Sequence, residues 1–268
     1  MNDDMLNDAV KEVAKDVYKD LGHPVAQPTG GLVGLLPRAI KAALAPFEKW
    51  ILQREYNVAE TSKLLEYKLQ SINPELVESP EAYIAVPALQ YISYCADNEE
   101  LRNMYANLLA NSMTAVVKDG VHPSFVEIIK QISPDEAKLM RYFSANGVAP
   151  IISVRCHNSM RVGVEVIRNF SNVGEVSGCE QPLDIVKCFD NLERLGLLYK
   201  AEASSFLTNK ALYEELRQHP FVLAKIEETM NAQDDYKEIQ YVESFITLTD
   251  FGKGFCKICV DSPSNEDA

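Results

Sequence analysis

The residues best suited to chemistry are six cysteines, at 95, 156, 179, 188, 256 and 259, and four histidines, at 23, 122, 157 and 219. Cys256-x-x-Cys259 sets two thiols nearly one helical turn apart, a spacing at which they can share a zinc ion, with Cys156 and His157 as the other two ligands of a tetrahedral site. No second C-x-x-C occurs, and both cysteines stand among apolar residues, where a free thiol behaves as a small hydrophobe. The expectation is therefore packed thiols rather than a metal centre. His23, His122 and His219 each precede a proline, which assigns them to turns or caps rather than to general-base work. Gly30-Gly31-x-x-Gly34 lacks the Lys-Ser/Thr that completes a phosphate loop and reads as a hinge. The acid pairs Asp234-Asp235 and Glu227-Glu228 read as solvated faces, not as a hydrolytic dyad. The sequence holds no H-E-x-x-H and no G-x-S-x-G. The residue patterns thus assign no catalytic residue, no cofactor and no metal.

Arg155, Arg161 and Arg168 form the one basic run, interleaved with Asn158, Ser159 and Asn169. Two readings compete: a local nucleic-acid or nucleotide patch, and a solvated strand face. The second is preferred on charge. Lys and Arg total 26 against 39 Asp and Glu, a net charge of −13 that repels phosphate polymers. Residues 133–200 carry eight basic and eight acidic side chains; residues 201–268 carry six and thirteen.

A chain of 268 residues holds one large or two small domains at ~100–200 residues each. Hydrophobic residues at 47% and charged residues at 24% exclude global disorder. The opening MNDDMLNDAVKEVAKD has neither a basic nor an apolar leader region, so a cytoplasmic protein with reduced thiols is expected. Residues 1–31 read as a charged helix and a Pro/Gly linker, GHPVAQPTGG at 22–31. Residues 32–132 read as a helical domain. Ile40, Leu44, Phe47 and Ile51 share one helix face; a second helix covers about 57–72 and ends at Asn73-Pro74. Ser79-Pro80-Glu81 has the pattern of a helix start, with Pro87 further along as a kink. Glu99 and then Ser124 open further helices. The segment GGLVGLLPRAIKAALAPFEKWIL at 30–52, closed by Trp50, also allows an interfacial membrane helix; a core helix is preferred because its polar face is not rich in Lys and Arg.

Ser133-Pro134-Asp135-Glu136 is a second strong start signal. After it the pattern changes: a short strand at 149–154, a helix at 182–195 closed by Gly196, a strand at Leu197-Leu198-Tyr199, a strand at 240–248, and a last helix capped by Thr249. This order, with LERLGLLYK and FITLTDFGKGF at its turns, resembles a winged-helix module. An insert at about 201–239, two helices with bodies Ala211–Gln218 and Pro220–Asn231, replaces a short wing loop. The expected fold is mainly α: a helical N-terminal domain, then a winged-helix-like α+β domain at 133–260 with a helical insertion, and an acidic tail at 261–268.

The phrases IAVPALQYISY at 84–94, EELRNMYANLLANSMT at 99–114 and VHPSFVEIIKQISPDEAKLMRYF at 121–143 resemble the bacterial abortive-infection alpha family, in order and close together. The resemblance implies a cytoplasmic bacterial protein of phage defence, with no known catalytic set. It implies core roles for Leu101, Tyr105, Leu108 and Leu109, polar helix positions for Asn107 and Asn111, and a turn at His122-Pro123. The expected partner is a phage or host protein, with a homo-oligomer as a further option. Nucleic acid is disfavoured by charge, and a membrane stands last.

Overall fold

The computed structural model describes residues 35–47, 58–95, 98–202, 205–232 and 235–263. The N-terminal charged helix, the 22–31 linker, the Gly30–Gly34 hinge, Trp50 and the end of the tail lie outside the described residues. Contacts sort the chain into two units: residues up to Lys130 with those from Asp261 onward, and Gln131–Val260.

In the first unit, α1 (Leu35–Leu44) buries Ile40, Ala43 and Leu44 and passes into a 3-10 turn, Ala45–Phe47. Helix α2 (Val58–Lys68) brings in Leu65, and Leu69 follows just beyond its end. Asn73 stops this region by accepting the Glu75 N–H at 3.1 Å, which starts a short turn instead of a further helical one. Helix α3 spans Ala82–Tyr94 with Pro87 inside it. Ser79 does not cap this helix, contrary to its sequence pattern, and the first helical residue is Ala82. The Ser79 hydroxyl instead donates to the Ala43 carbonyl at 2.9 Å, one of the α1 carbonyls that have no partner within their own helix. Asn98 caps α4 (Glu99–Ser112), accepting from Leu101 N–H at 3.0 Å, with Glu99 and Glu100 against the positive end of the helix. Every residue from Met104 to Ser112 is buried, so α4 is the central helix of this unit. Ala106 and Ala110 let neighbours approach closely, while Leu65, Leu69, Leu89, Leu109 and Met113 fill one continuous core. Tyr105 stacks on Tyr91 with ring centres 5.9 Å apart. Helix α5 (Ser124–Gln131) adds Phe125, Ile128 and Ile129.

The second unit opens with α6 (Pro134–Asn146), whose capping box is complete: Ser133 Oγ accepts from Glu136 N–H, and the Glu136 carboxylate accepts from Ser133 N–H. Gly147, at φ 74, ends the helix in a conformation that costs glycine little. The sheet follows. Strand β1 (Val148–His157) pairs antiparallel with β2 (Gly163–Phe170) across a turn, where Asn158 Oδ1 accepts from the N–H groups of Met160 and Val162 at 3.0 Å each. Helices α7 (Val173–Val176) and α8 (Val186–Arg194) lead to β3 (Leu198–Lys200). Helices α9 (Ala211–Arg217) and α10 (Pro220–Ala232) form the insert. Strand β4 (Glu238–Leu248) returns between β1 and β3, so the order is β2-β1-β4-β3, and Thr249 caps α11 (Asp250–Phe255) by accepting from Gly252 N–H at 2.8 Å. A π-turn, Cys256–Val260, completes the unit.

The chain is therefore mixed α+β, mainly helical, with one four-stranded antiparallel sheet. Besides the Ser79 cap, three sequence expectations need correction. Strand β1 extends to His157 rather than ending near 154, and β2, touched on only as a solvated strand face carrying Arg168, is a full strand at Gly163–Phe170. The helix expected at 182–195 begins only at Val186. The chain just before it is held in a turn: the Asp135 carboxylate accepts from the N–H groups of Glu180 at 2.9 Å and Gln181 at 3.2 Å. The chain at Pro182 also passes so near α7 that a Cβ on Gly174 would lie 2.3 Å from the Pro182 carbonyl oxygen.

Asp135 carries a pH prediction. Burial by itself raises its pKa, but the Glu180 and Gln181 N–H donors and the Lys138 ammonium outweigh burial and hold it below the ordinary 3.8. A depressed folded pKa stabilises the native state fully above the unfolded value and loses that contribution as pH falls through the folded one. Asp135→Asn should lower the urea midpoint at neutral pH by the equivalent of about 1 kcal/mol and flatten its fall below about pH 4. An unchanged acid limb would show that the carboxylate does not hold the 180–184 turn.

Candidate functional site

One face of the sheet is closed by the insert. Ile152, Val154 and Cys156 of β1 pack with Tyr213, Leu216, Val222 and Ile226 from α9 and α10. Alternate residues of β1 face the other way. On that side Ala149 and Ile151 are buried, whereas Ser153 is half-buried and Arg155 is exposed. The ladder sets Ile151 beside Ser244 and Ser153 beside Val242. A concavity of about 220 Å³ opens over these four residues, rimmed by Glu165, Arg168 and Asn169 of β2 and by Lys200 of β3.

A bulge shapes this rim. Ile152 faces Phe170 and Val154 faces Ile167, so Ser153 alone opposes both Arg168 and Asn169. Asn169 takes φ 50, a left-handed conformation that asparagine tolerates better than most residues. Its N–H donates to Ser153 Oγ at 3.0 Å, replacing the ladder bond that the bulge removes. The result aims Arg168 and Asn169 at the concavity. Arg168 lies 4.0 Å from Asp190 of α8, with both side chains more than half exposed, a pairing worth roughly 0–1 kcal/mol in water. The Lys200 backbone N–H is held by Glu193 at 2.9 Å, while its ammonium has no ion pair among the described residues. Ser244 Oγ donates to the Ala201 carbonyl at 2.8 Å.

The cysteines lie elsewhere. Cys156 is in the core under the insert, whereas Cys256 Sγ reaches the Met140 carbonyl of α6 at 3.8 Å, so the Cys156–His157–Cys256–Cys259 set is not assembled. Among the described residues no three of His, Cys, Asp and Glu come together as a metal site. Burial pushes the Cys179 thiol up to about 11, with the Asp135 carboxylate adding to it, and the Cys188 thiol up to about 12, so both are protonated at neutral pH. Burial also pushes Cys259 well above its ordinary value.

His122 meets Ser124 Oγ at 2.6 Å and its Nδ1 accepts the Ser124 N–H, at the start of α5. His219 Nδ1 accepts from Phe221 N–H at the start of α10, and Nε2 meets Glu175 at 3.1 Å. His157 ends β1, buried, and its Nδ1–H donates to the Asn158 carbonyl at 2.9 Å. His23 lies outside the described residues, as does Asp234; Glu228 is exposed and pairs with Lys225. The arginine run divides. Arg168 reaches the concavity, Arg155 stands opposite Glu165 on the same face, and Arg161 occupies the hairpin turn at φ 60. Ser153, Lys200, Val242 and Ser244 were not singled out from sequence. Their signal was weak: alternation in Ile151-Ser153-Arg155 and Val242-Ser244, with no way to tell which strands are neighbours.

Such a structure, a mainly helical α+β protein whose polar concavity sits on a sheet face, defines a class rather than a reaction. The particular family comes from sequence. The chain matches the abortive infection alpha family model over residues 53–259, and it belongs to that family. No curated protein matches it. Among solved structures the chain matches an uncharacterized protein from the hydrocarbon-degrading marine bacterium Alcanivorax borkumensis SK2, at 14% identity and a TM-score of 0.35 over 51% of this chain and 92% of that one.

Proposed function

We propose that the protein acts in abortive-infection defence against phage by recognising a phage or host protein through its exposed surface and relaying that contact as a conformational change. Family membership over residues 53–259 carries this reading. A binding role is supported by the β1–β2 hairpin, where Met160 is 79% and Val162 61% exposed, with Val164 and Ile239 also open to solvent. Apolar side chains gathered at one hairpin tip are an unusual solvent face and a suitable protein contact. The sheet order β1-β4-β3, preceded by α6 and α8, supports a winged-helix-like reading of the second unit with β2 and the insert as additions. Charge argues against a nucleic-acid use of α8: its Lys187 is paired with Asp184 at 2.6 Å, and Asp190 and Glu193 lie on the same short helix. Among the described residues no helix is long and apolar enough to cross a membrane.

The test is expression in a phage-sensitive bacterium with and without infection. Phage yield should fall, and host viability should be lost only in infected cultures. The double variant Met160→Ser with Val162→Ser should fold normally and lose protection. Unchanged phage yield across several phages removes the defence reading; protection retained by the double variant removes the hairpin as the contact.

A further inference from the structure

We propose that the concavity on the open sheet face binds a small organic phosphate, with its phosphoryl group held by Arg168 and Lys200 and its organic part lying over Ile151 and Val242. This goes beyond the defence reading and does not depend on it.

The electrostatic observation comes first. On a chain of net charge −13, two cations rim one indentation, and among the described residues the one acid that lines it with them is Glu165, which stands opposite Arg155. Lys200 has no ion pair among the described residues, and Arg168 has only the exposed 4.0 Å contact with Asp190. Neither cation is consumed by the fold, so both are free to meet an anion.

The donor set then selects the anion. Ser153 Oγ uses a lone pair to accept the Asn169 N–H at 3.0 Å, which leaves its own proton to donate. The Asn169 amide, the Arg168 guanidinium and the Lys200 ammonium add further donors around the same space. That is more than the two oxygens of a carboxylate can use and suits the three terminal oxygens of a phosphoryl group. The bulge supplies the preorganisation: Ser153 pins the left-handed Asn169 backbone, so the rim does not have to reorganise to bind.

Size and surroundings set the rest of the ligand. The concavity, at about 220 Å³, lies below the ~300–1,000 Å³ of drug-sized sites and suits a ligand no larger than a small phosphate ester. Its apolar floor, with Ile151 buried and Val242 half-buried, rewards a sugar or a base rather than bare phosphate. A polynucleotide fits poorly. Local cations act within about one Debye length, ~8–10 Å in physiological salt, whereas a polymer extends beyond it into the acids of α8 and the acidic 201–268 region.

The experiment is isothermal titration calorimetry on the full chain at low ionic strength. The probes are ribose 5-phosphate, adenosine 5′-monophosphate, inorganic phosphate, adenosine and a short single-stranded oligonucleotide. Saturable one-to-one binding is expected for at least one of the two organic phosphates, weaker binding for inorganic phosphate, and none for adenosine. Arg168→Gln and Lys200→Gln should each weaken binding about tenfold to a hundredfold, as loss of a charge-assisted hydrogen bond does. Lys225→Gln, on the insert, should leave it unchanged. Both rim side chains reach solvent, so the variants should keep the parent circular dichroism spectrum; if Arg168→Gln does not fold, Lys200→Gln decides alone. The proposal is overturned by absence of saturable binding to both organic phosphates at millimolar concentration, by binding that neither rim variant weakens, by inorganic phosphate or adenosine binding as tightly as the organic phosphates, or by an oligonucleotide that binds tighter than either and weakens equally on Arg161→Gln.

Discussion

Gly252→Ala should lower the stability of the second unit by about 3 kcal/mol or more, a loss at the upper end of what overpacking costs. Gly252 lies in the first turn of α11, and a Cβ there would stand 2.0 Å from the Leu197 carbonyl oxygen and 2.9 Å from its carbon. Backbone, not a flexible side-chain end, occupies the space. Leu197 is fully buried, and its carbonyl also accepts from Thr249 N–H at 3.0 Å. Making room for a methyl group therefore pulls the α11 cap off the chain that leaves α8 and displaces Phe255, which has no exposed surface. Gly147→Ala is the matched comparison. Its site has no atom within 4 Å of the new Cβ, but its φ is 74, so only the left-handed backbone penalty applies, about 1 kcal/mol. Urea unfolding followed by circular dichroism reads both. Equal midpoints for the two variants would mean that α11 does not sit against Leu197.

The second large effect concerns the insert. Tyr213 has no exposed surface, and its hydroxyl joins two elements: it donates to the Ser244 carbonyl of β4 at 2.8 Å and accepts the Leu207 N–H at 2.9 Å. Burial raises its pKa, which keeps the proton needed for that donation in place. Tyr213→Phe keeps the ring and strands both partners, at a cost of about 1–3 kcal/mol. Tyr213→Ala also empties the space among Ile152, Val154, Leu216 and Val222, for a total of about 4 kcal/mol or more. The same urea unfolding should rank wild type above Phe and Phe above Ala. A Phe variant as stable as wild type would mean that the hydroxyl bonds contribute nothing. An Ala variant within about 1 kcal/mol of wild type would mean that α9 is not part of the sheet's core.

These two positions differ in how visible they are in the sequence. Thr249 announces α11 through its cap pattern, and Ala211 to Asn231 announces the two insert helices through spacing. Nothing near Gly252 in the chain marks Leu197 as its neighbour. Nothing near Tyr213 marks Ser244 as its acceptor, because the contact spans 31 positions. The concavity was legible only in fragments. Arg168 and Asn169 stood out as members of a basic run, but Lys200 and Ser153 carry no local pattern that joins them.

Helix starts and stops follow from interactions within four residues, such as Asn98 with Leu101, Ser133 with Glu136, and Gly196 at φ 73, so residue order alone was enough to place most of them. Ser79 shows the limit of that rule, since a carbonyl 36 positions away took its hydroxyl. Strand β2 and the bulged rim arose only in three dimensions. With Ile167 and Phe170 its buried apolar side chains, β2 has too little alternation to be seen, and it exists because β1 offers an edge to pair with. Strand β4 likewise finds β1 across some ninety positions, from Val148 opposite Thr247 to His157 opposite Glu238. Pairing of that kind depends on which edges chain closure brings together, a long-range property that no local run of residues encodes.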